Sequence, residues 1–331
     1  MHKTVKKLLS SQSGNIAVIV ALSLAGMLGF SAFALDLGVS YNQASKLQNA
    51  LDSAVLAAAH ELPAKNKLSS EWTAAENEAM QYAAANGFAL NAGDIEPIFK
   101  DDIPANEIIG IKVTKTIEVE YNFAKVLGMD TGIVSRSAAG GLSPAGGIRN
   151  AVPLSITSSS LSSAIAAGAV EGLLIKCSSN TDEVGIDCTG VSGWFAPLRF
   201  DGAGASSYST LIACGYDGEL HIGQVLDIEN GNMSGPTLDG FTTRYDSCTD
   251  GCTQESYEPD CPRLIRIPVI TIISKSKVRI DAFAAFFITE CGGNGNNSYI
   301  KATYIPDTVL PDAVAGASGQ DFGLYVIKLL S

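Results

Sequence analysis

Histidine is scarce: the 331-residue chain has three, and only His221 lies beyond residue 60. A lone histidine between Leu220 and Ile222 reads as a strand residue rather than a general base. No G-x-S-x-G run occurs, so the nucleophile elbow of many hydrolases is missing. Gly202-Ala-Gly204 and Gly292-Gly-Asn-Gly295 lack the strand–helix context of a phosphate cradle. No catalytic and no cofactor-binding residue is therefore expected, and no small-molecule substrate. Cations are also in deficit, 22 Lys and Arg against 34 Asp and Glu, a net charge of −12. That balance argues against nucleic acid as a partner, because phosphate binding needs a basic surface. Only 17% of residues are charged while 46% are hydrophobic, so material for a sizeable core is ample.

Cysteine is missing from the first half. All seven follow in the second: Cys177, Cys188, Cys214, Cys248, Cys252, Cys261 and Cys291. In an oxidising compartment they are expected to form disulfides, with the odd count leaving one thiol free or bonded to another chain. The pairing itself is not readable from spacing. Cys248-x3-Cys252-x8-Cys261 lacks the usual zinc-knuckle spacing and a nearby histidine, which favours a disulfide over zinc. Asp246, Asp250, Glu255, Glu258 and Asp260 flank it without EF-hand spacing, so a solvated acidic loop is expected and no metal site.

What dominates the chain is the stretch from Ser13 to Leu62. Residues 15–35 carry no charge and are numerous enough to span a bilayer core as a helix. Beyond Asp36 an apolar stripe continues at steps of three and four through Leu37, Tyr41, Ala44, Leu47, Leu51, Val55 and Ala58. Pro63 stops it. The helix predicted is about 70 Å long, half in lipid and half carrying a packing face. That face is covered either by the chain's own sheet or by another such helix. Lys3, Lys6 and Lys7 precede the span and Asp36 is the first charge after it. This places the N-terminus in the cytoplasm and the bulk of the chain outside, as a single-pass cell-membrane protein. Ala32-Phe33-Ala34 could mark signal-peptide cleavage, but the helical pattern runs straight through it, so retention is expected.

A second helix is predicted from about Ser69 to Asn86, ending at Gly87. Period-two alternation then predicts strands over 109–114, 117–121 and about 133–139, with a short helical turn at Phe123–Gly128. Gly140–Gly147 reads as a linker. Beyond it strands are expected at Leu173–Cys177, Trp194–Phe200, Leu264–Ile273, Lys277–Thr289 and Tyr299–Tyr304, separated by polar loops. The fold class is α+β.

The N-terminal stretch resembles the TadE/TadG-like proteins of Tad (tight adherence), or Flp, pilus assembly. The likeness is carried by Gly14-Asn15-Ile16-Ala17-Val18-Ile19, Leu35-Asp36-Leu37-Gly38, Tyr41, Leu47-Gln48-Asn49-Ala50-Leu51-Asp52 and Ala57-Ala58-Ala59. It continues through Phe123-Ala124-Lys125-Val126-Leu127-Gly128 and Val134–Ala138. The resemblance implies a membrane-anchored protein in assembly or anchoring of such a pilus, with the membrane and other Tad proteins or pilin-like subunits as partners. A minor pilin or tip adhesin, or a cleaved secreted binding protein, are the alternatives. A prepilin-type cut of the kind made in pseudopilins of this system would fall between Gly14 and Asn15. The fifth residue of the mature chain would then be Ile19 where pseudopilins of the system carry glutamate, which points to the TadG type. No D-x-S-x-S run of a von Willebrand A-type domain is present. The domain plan is a cytoplasmic arm (1–14), a transmembrane helix (15–35), a pilin-like module (36–140), a linker (141–147) and a β-rich, disulfide-containing extracytoplasmic domain (148–331).

Overall fold

A computed structural model of the chain describes residues 12–104, 106–176, 197–202, 204–229, 233–258, 260–293, 298–316 and 320–330. It divides into two compact units, residues 1–141 with 329–331, and residues 142–328.

In the first unit, α1 (Gln12–Ala58) is one uninterrupted helix of 47 residues, about 70 Å at 1.5 Å per residue. Helix α2 (Ser70–Ala85) starts where the Ser69 side chain accepts the Trp72 N–H. It ends at Asn86, with Gly87 at φ 89° just beyond, a backbone region favouring glycine. Ala75, Ala79 and Ala83 are buried along one α2 face, as are Ala50, Ala54 and Ala58 on α1. Small side chains at this spacing let two helices lie close.

Strands β1 (Ile95–Phe99), β2 (Ile108–Glu120) and β3 (Thr131–Ile148) form the antiparallel sheet against α1. The expected strands at 109–114 and 117–121 are one, β2, paired to β3 from Gly110–Gly141 to Glu120–Thr131. β1 went unread in the sequence because it is short and holds Pro97, which an edge strand tolerates. Gly140 is required where β3 meets α1: a Cβ there would lie 2.9 Å from Val55 Cγ2 and 3.0 Å from the Val55 carbonyl oxygen.

The stretch read as a linker is the last part of β3. Its final residues pair with β7 (Leu220–His221) and β13 (Val314–Ala315) in the second unit. Glycines there permit close strand contact: a Cβ on Gly146 would come 2.4 Å from the Gly316 Cα. Flexible-looking composition served backbone proximity.

The second unit is built on a sheet ordered β4 (Ile156–Thr157), β9 (Leu264–Ser274), β10 (Lys277–Gly292), β11 (Tyr299–Ile305) and β5 (Leu173–Lys176). β8 (Val225–Ile228) pairs with β10 and with β6 (Leu198–Arg199). β10 is buried on both faces. Ala282, Ala284, Phe286 and Ile288 enter one core cluster and Phe283, Ala285 and Phe287 the other. Val278 and Ile280 join Phe283 in the second cluster because a bulge between Ile280 and Ala282 reverses the alternation.

Helices α3 (Ser158–Ala166), α4 (Ala205–Cys214) and α5 (Ser234–Asp246) cover the first face through Leu161, Ile212 and Phe241. The sequence reading has polar loops at these places. Serine, glycine and threonine are weak helix formers, and burial of one apolar side per turn stabilises them only in the assembled core. The expected strand at Trp194–Phe200 is described only from residue 197, where it is short.

Candidate functional site

Residues 16–35 of α1 are apolar and, with few exceptions, exposed. Among the described residues this is the one helix long and apolar enough to cross a membrane. Ile16, Leu22, Met27, Leu28 and Phe30 each leave most of their surface open. Such a face costs about 25 cal/mol per Å² in water and is stable where lipid replaces the water. Gly14 and Asn15 lie within the helix.

Past residue 43 the surroundings of α1 change. Ala44, Leu47, Leu51, Val55 and Ala58 are all buried within the first unit, whereas Leu37 is 50% and Tyr41 77% exposed. The predicted stripe is therefore divided: from Ala44 to Ala58 it is covered by this chain's own elements, and at Leu37 and Tyr41 the described residues leave it exposed. Gln48 extends the tie, donating from Nε2 to the Ser137 carbonyl oxygen of β3 and to Asp52 Oδ1.

Asp36 sits at the junction. It is the first charge after the apolar run and yet is buried. Its carboxylate accepts the backbone N–H groups of Asn122 (2.8 Å), Phe123 (3.0 Å) and Ala124 (2.6 Å). Those residues open the 3-10 turn Ala124–Leu127, whose own N-cap position is Phe123 and offers no side-chain acceptor. A carboxylate from 86 residues upstream supplies the missing cap. Burial pushes the Asp36 carboxyl upward. The amides of Asn122, Ala124 and Phe123, with Lys125 nearby, outweigh it and hold the group below its ordinary range. The sequence reading names Asp36 and the 123–128 turn separately. The signal joining them was an aspartate at the end of a span and a helical turn with no cap of its own.

Residues 14–61 match the Tad family model. Its description is "Putative Flp pilus-assembly TadE/G-like". The matched stretch covers the apolar span, Asp36 and the buried half of α1, and ties the segment to Flp pilus assembly. No curated protein and no solved structure matches the chain.

In the second unit, Cys248, Cys252 and Cys261 come together with all three sulfurs within 4.8 Å of one another. The Cys248 and Cys261 sulfurs are 3.7 Å apart, and none of the five described cysteines is cross-linked here. Burial pushes the Cys261 thiol up to about 12. Burial acts the same way on Cys248 but is outweighed by bonds from the Cys252 and Asp250 backbone and the neighbouring thiols, leaving it lowered. The loop is held by Arg263, stacked between Tyr245 and Phe287 and donating to the Cys252 carbonyl oxygen. Cys214 is exposed, Cys291 is half-buried, and Cys177 and Cys188 lie outside the described residues. His221 is exposed on β7, 3.4 Å from Glu219 Oε1.

Proposed function

We propose that this chain is a TadG-like, single-pass membrane component in the assembly or envelope anchoring of a Tad/Flp-type pilus. It acts through helix packing and protein contacts rather than catalysis. The observation that carries the reading is the two-part character of α1 within the matched stretch: bare and apolar to residue 35, then buried along one face in its own module from Ala44. The partners are the membrane and other Tad proteins or pilin-like subunits. The bulk of the chain is extracytoplasmic, in keeping with three lysines before the span.

The test is the state of the protein in native membranes and in sheared pili. The expected result is a chain beginning near Met1 or His2, resistant to carbonate extraction, absent from sheared pili, and required for piliation. A chain starting at Asn15 and present in sheared pili would identify a minor pilin cut after Gly14. One starting at Leu35 in the soluble fraction would mean a secreted protein.

In that compartment the trio provides a staple. Cys248 and Cys261 form one disulfide, losing two protons and passing two electrons to a disulfide-bearing oxidant of the envelope, which is reduced to its dithiol, and Cys252 stays reduced. All three lie in the tryptic peptide Tyr245–Arg263. Without reductant that peptide is expected two hydrogens lighter and to accept a single alkyl group. Three alkyl groups would refute the staple.

A further inference from the structure

The connection between β2 and β3 ends in an apolar surface that none of the described residues of the first unit covers. Phe123 is 46% exposed, Val126 88% and Met129 45%. They lie within seven residues of one another on a loop closed by the Tyr121 N–H to the Asp130 carbonyl oxygen. Its position along α1 is set by the Asp36 carboxylate, bonded to the amides of Asn122, Phe123 and Ala124. Asp36 directly follows the uncharged run of 15–35. At 1.5 Å per residue that run spans about 30 Å, the thickness of the hydrocarbon core. The loop is therefore tethered at the depth where hydrocarbon gives way to headgroups.

We propose that this loop is a second membrane contact, with Phe123, Val126 and Met129 inserted into the interfacial layer beside the span. The occupant of the apolar surface is lipid, because a loop fixed to the last residue level of a span lies within reach of the bilayer without any further partner. Lys125, on the same turn, is 45% exposed and 3.4 Å from Glu120, and its long stem extends toward the headgroup layer, as basic side chains do at such boundaries. Two attachments, one through the bilayer and one on it, resist tilting of α1 where a single helix would pivot.

The inference rests on the reading of residues 15–35 as a span, so the test separates the two. Full-length protein is reconstituted in vesicles containing brominated phosphatidylcholine, and quenching is read for three variants, each corrected for the native tryptophans. Phe33→Trp reports the span. Val126→Trp reports the loop. Leu68→Trp, at a site 95% exposed beyond the far end of α1, reports solvent. The expected result is strong quenching at 33, at least threefold more quenching at 126 than at 68, and a blue-shifted emission at 126. Quenching at 33 with 126 no different from 68 would overturn the loop contact and leave the span. A blue shift at 126 without quenching would assign the surface to a neighbouring protein and also overturn it. Absence of quenching at 33 would sink both.

Discussion

Asp36→Ala is expected to free the 122–128 turn while α1 stays helical. Three backbone amides that now donate to one carboxylate would lose their acceptor in a part-buried site, with the Ala124 N–H the most enclosed, and an unmet buried donor is strongly unfavourable. The replacement would have to come from the turn itself, whose N-cap position is a phenylalanine. Hydrogen exchange at Asn122, Phe123 and Ala124 should accelerate about tenfold or more, since local opening sets the exchange rate, with α2 little changed. The pH dependence carries the signature. The folded-state value of Asp36 is held below its ordinary one, so its contribution is full above the unfolded value of about 3.9 and is lost as pH falls through the folded value. Once intrinsic exchange is corrected for, wild-type protein should lose protection in this turn below about pH 4. The variant should show low protection at both ends. Equal protection in the two proteins at pH 7 would show that the carboxylate does not hold the turn.

Leu51→Ala should be the more damaging change to the first unit as a whole. Leu51 is fully buried, as are its neighbours on the stripe, Leu47 and Val55, and the Ile111 and Val113 side chains of β2. Truncating a leucine in such a site costs about 2–5 kcal/mol, the range reflecting how far the cavity collapses. Against a typical total of about 5–15 kcal/mol, that loss lowers the denaturant midpoint substantially. The readout is exchange protection in α2 and β2 through a urea titration of full-length protein in detergent. Leu37→Ala is the internal comparison: the side chain is half exposed, so its effect on the same readout should stay within about 0.5 kcal/mol. If the two changes act alike, the outer half of α1 does not depend on its own module for cover. Loss of piliation without loss of stability in Leu37→Ala would point to a partner on the uncovered stretch.

The two halves of α1 were legible for different reasons. An uncharged run of bilayer length and a period near 3.6 are local properties, readable from residues 15–58 alone. So were the Ser69 cap and Gly87 stop of α2 and the alternation of β2. What covers the stripe was not local: the sequence left open the chain's own sheet or another helix, and only tertiary packing decided that Ala44 to Ala58 are buried while Tyr41 is bare. The bond from Asp36 to residues 122–124 belongs to the same class, since no periodicity links groups so far apart.

The second unit shows the limit more sharply. Its long strands β9 and β10 were visible as apolar runs, but the bulge that sends Val278 and Ile280 to one face and Ala282 to the other is decided by pairing with β9. Helices α3, α4 and α5 have sequences that favour turns in isolation, and burial of Leu161, Ile212 and Phe241 against the sheet makes them helical. The glycines of residues 140–147 look like slack in a linear reading and serve as contact points between backbones in the fold. The sequence alone determined the apolar run of bilayer length, the periodicities and the absence of familiar catalytic signatures. The tertiary structure decided which apolar residues are covered, which carboxylate caps which turn, and which cysteines meet. Each of those depends on the free energy of contacts between distant residues, and no window of neighbouring residues contains it.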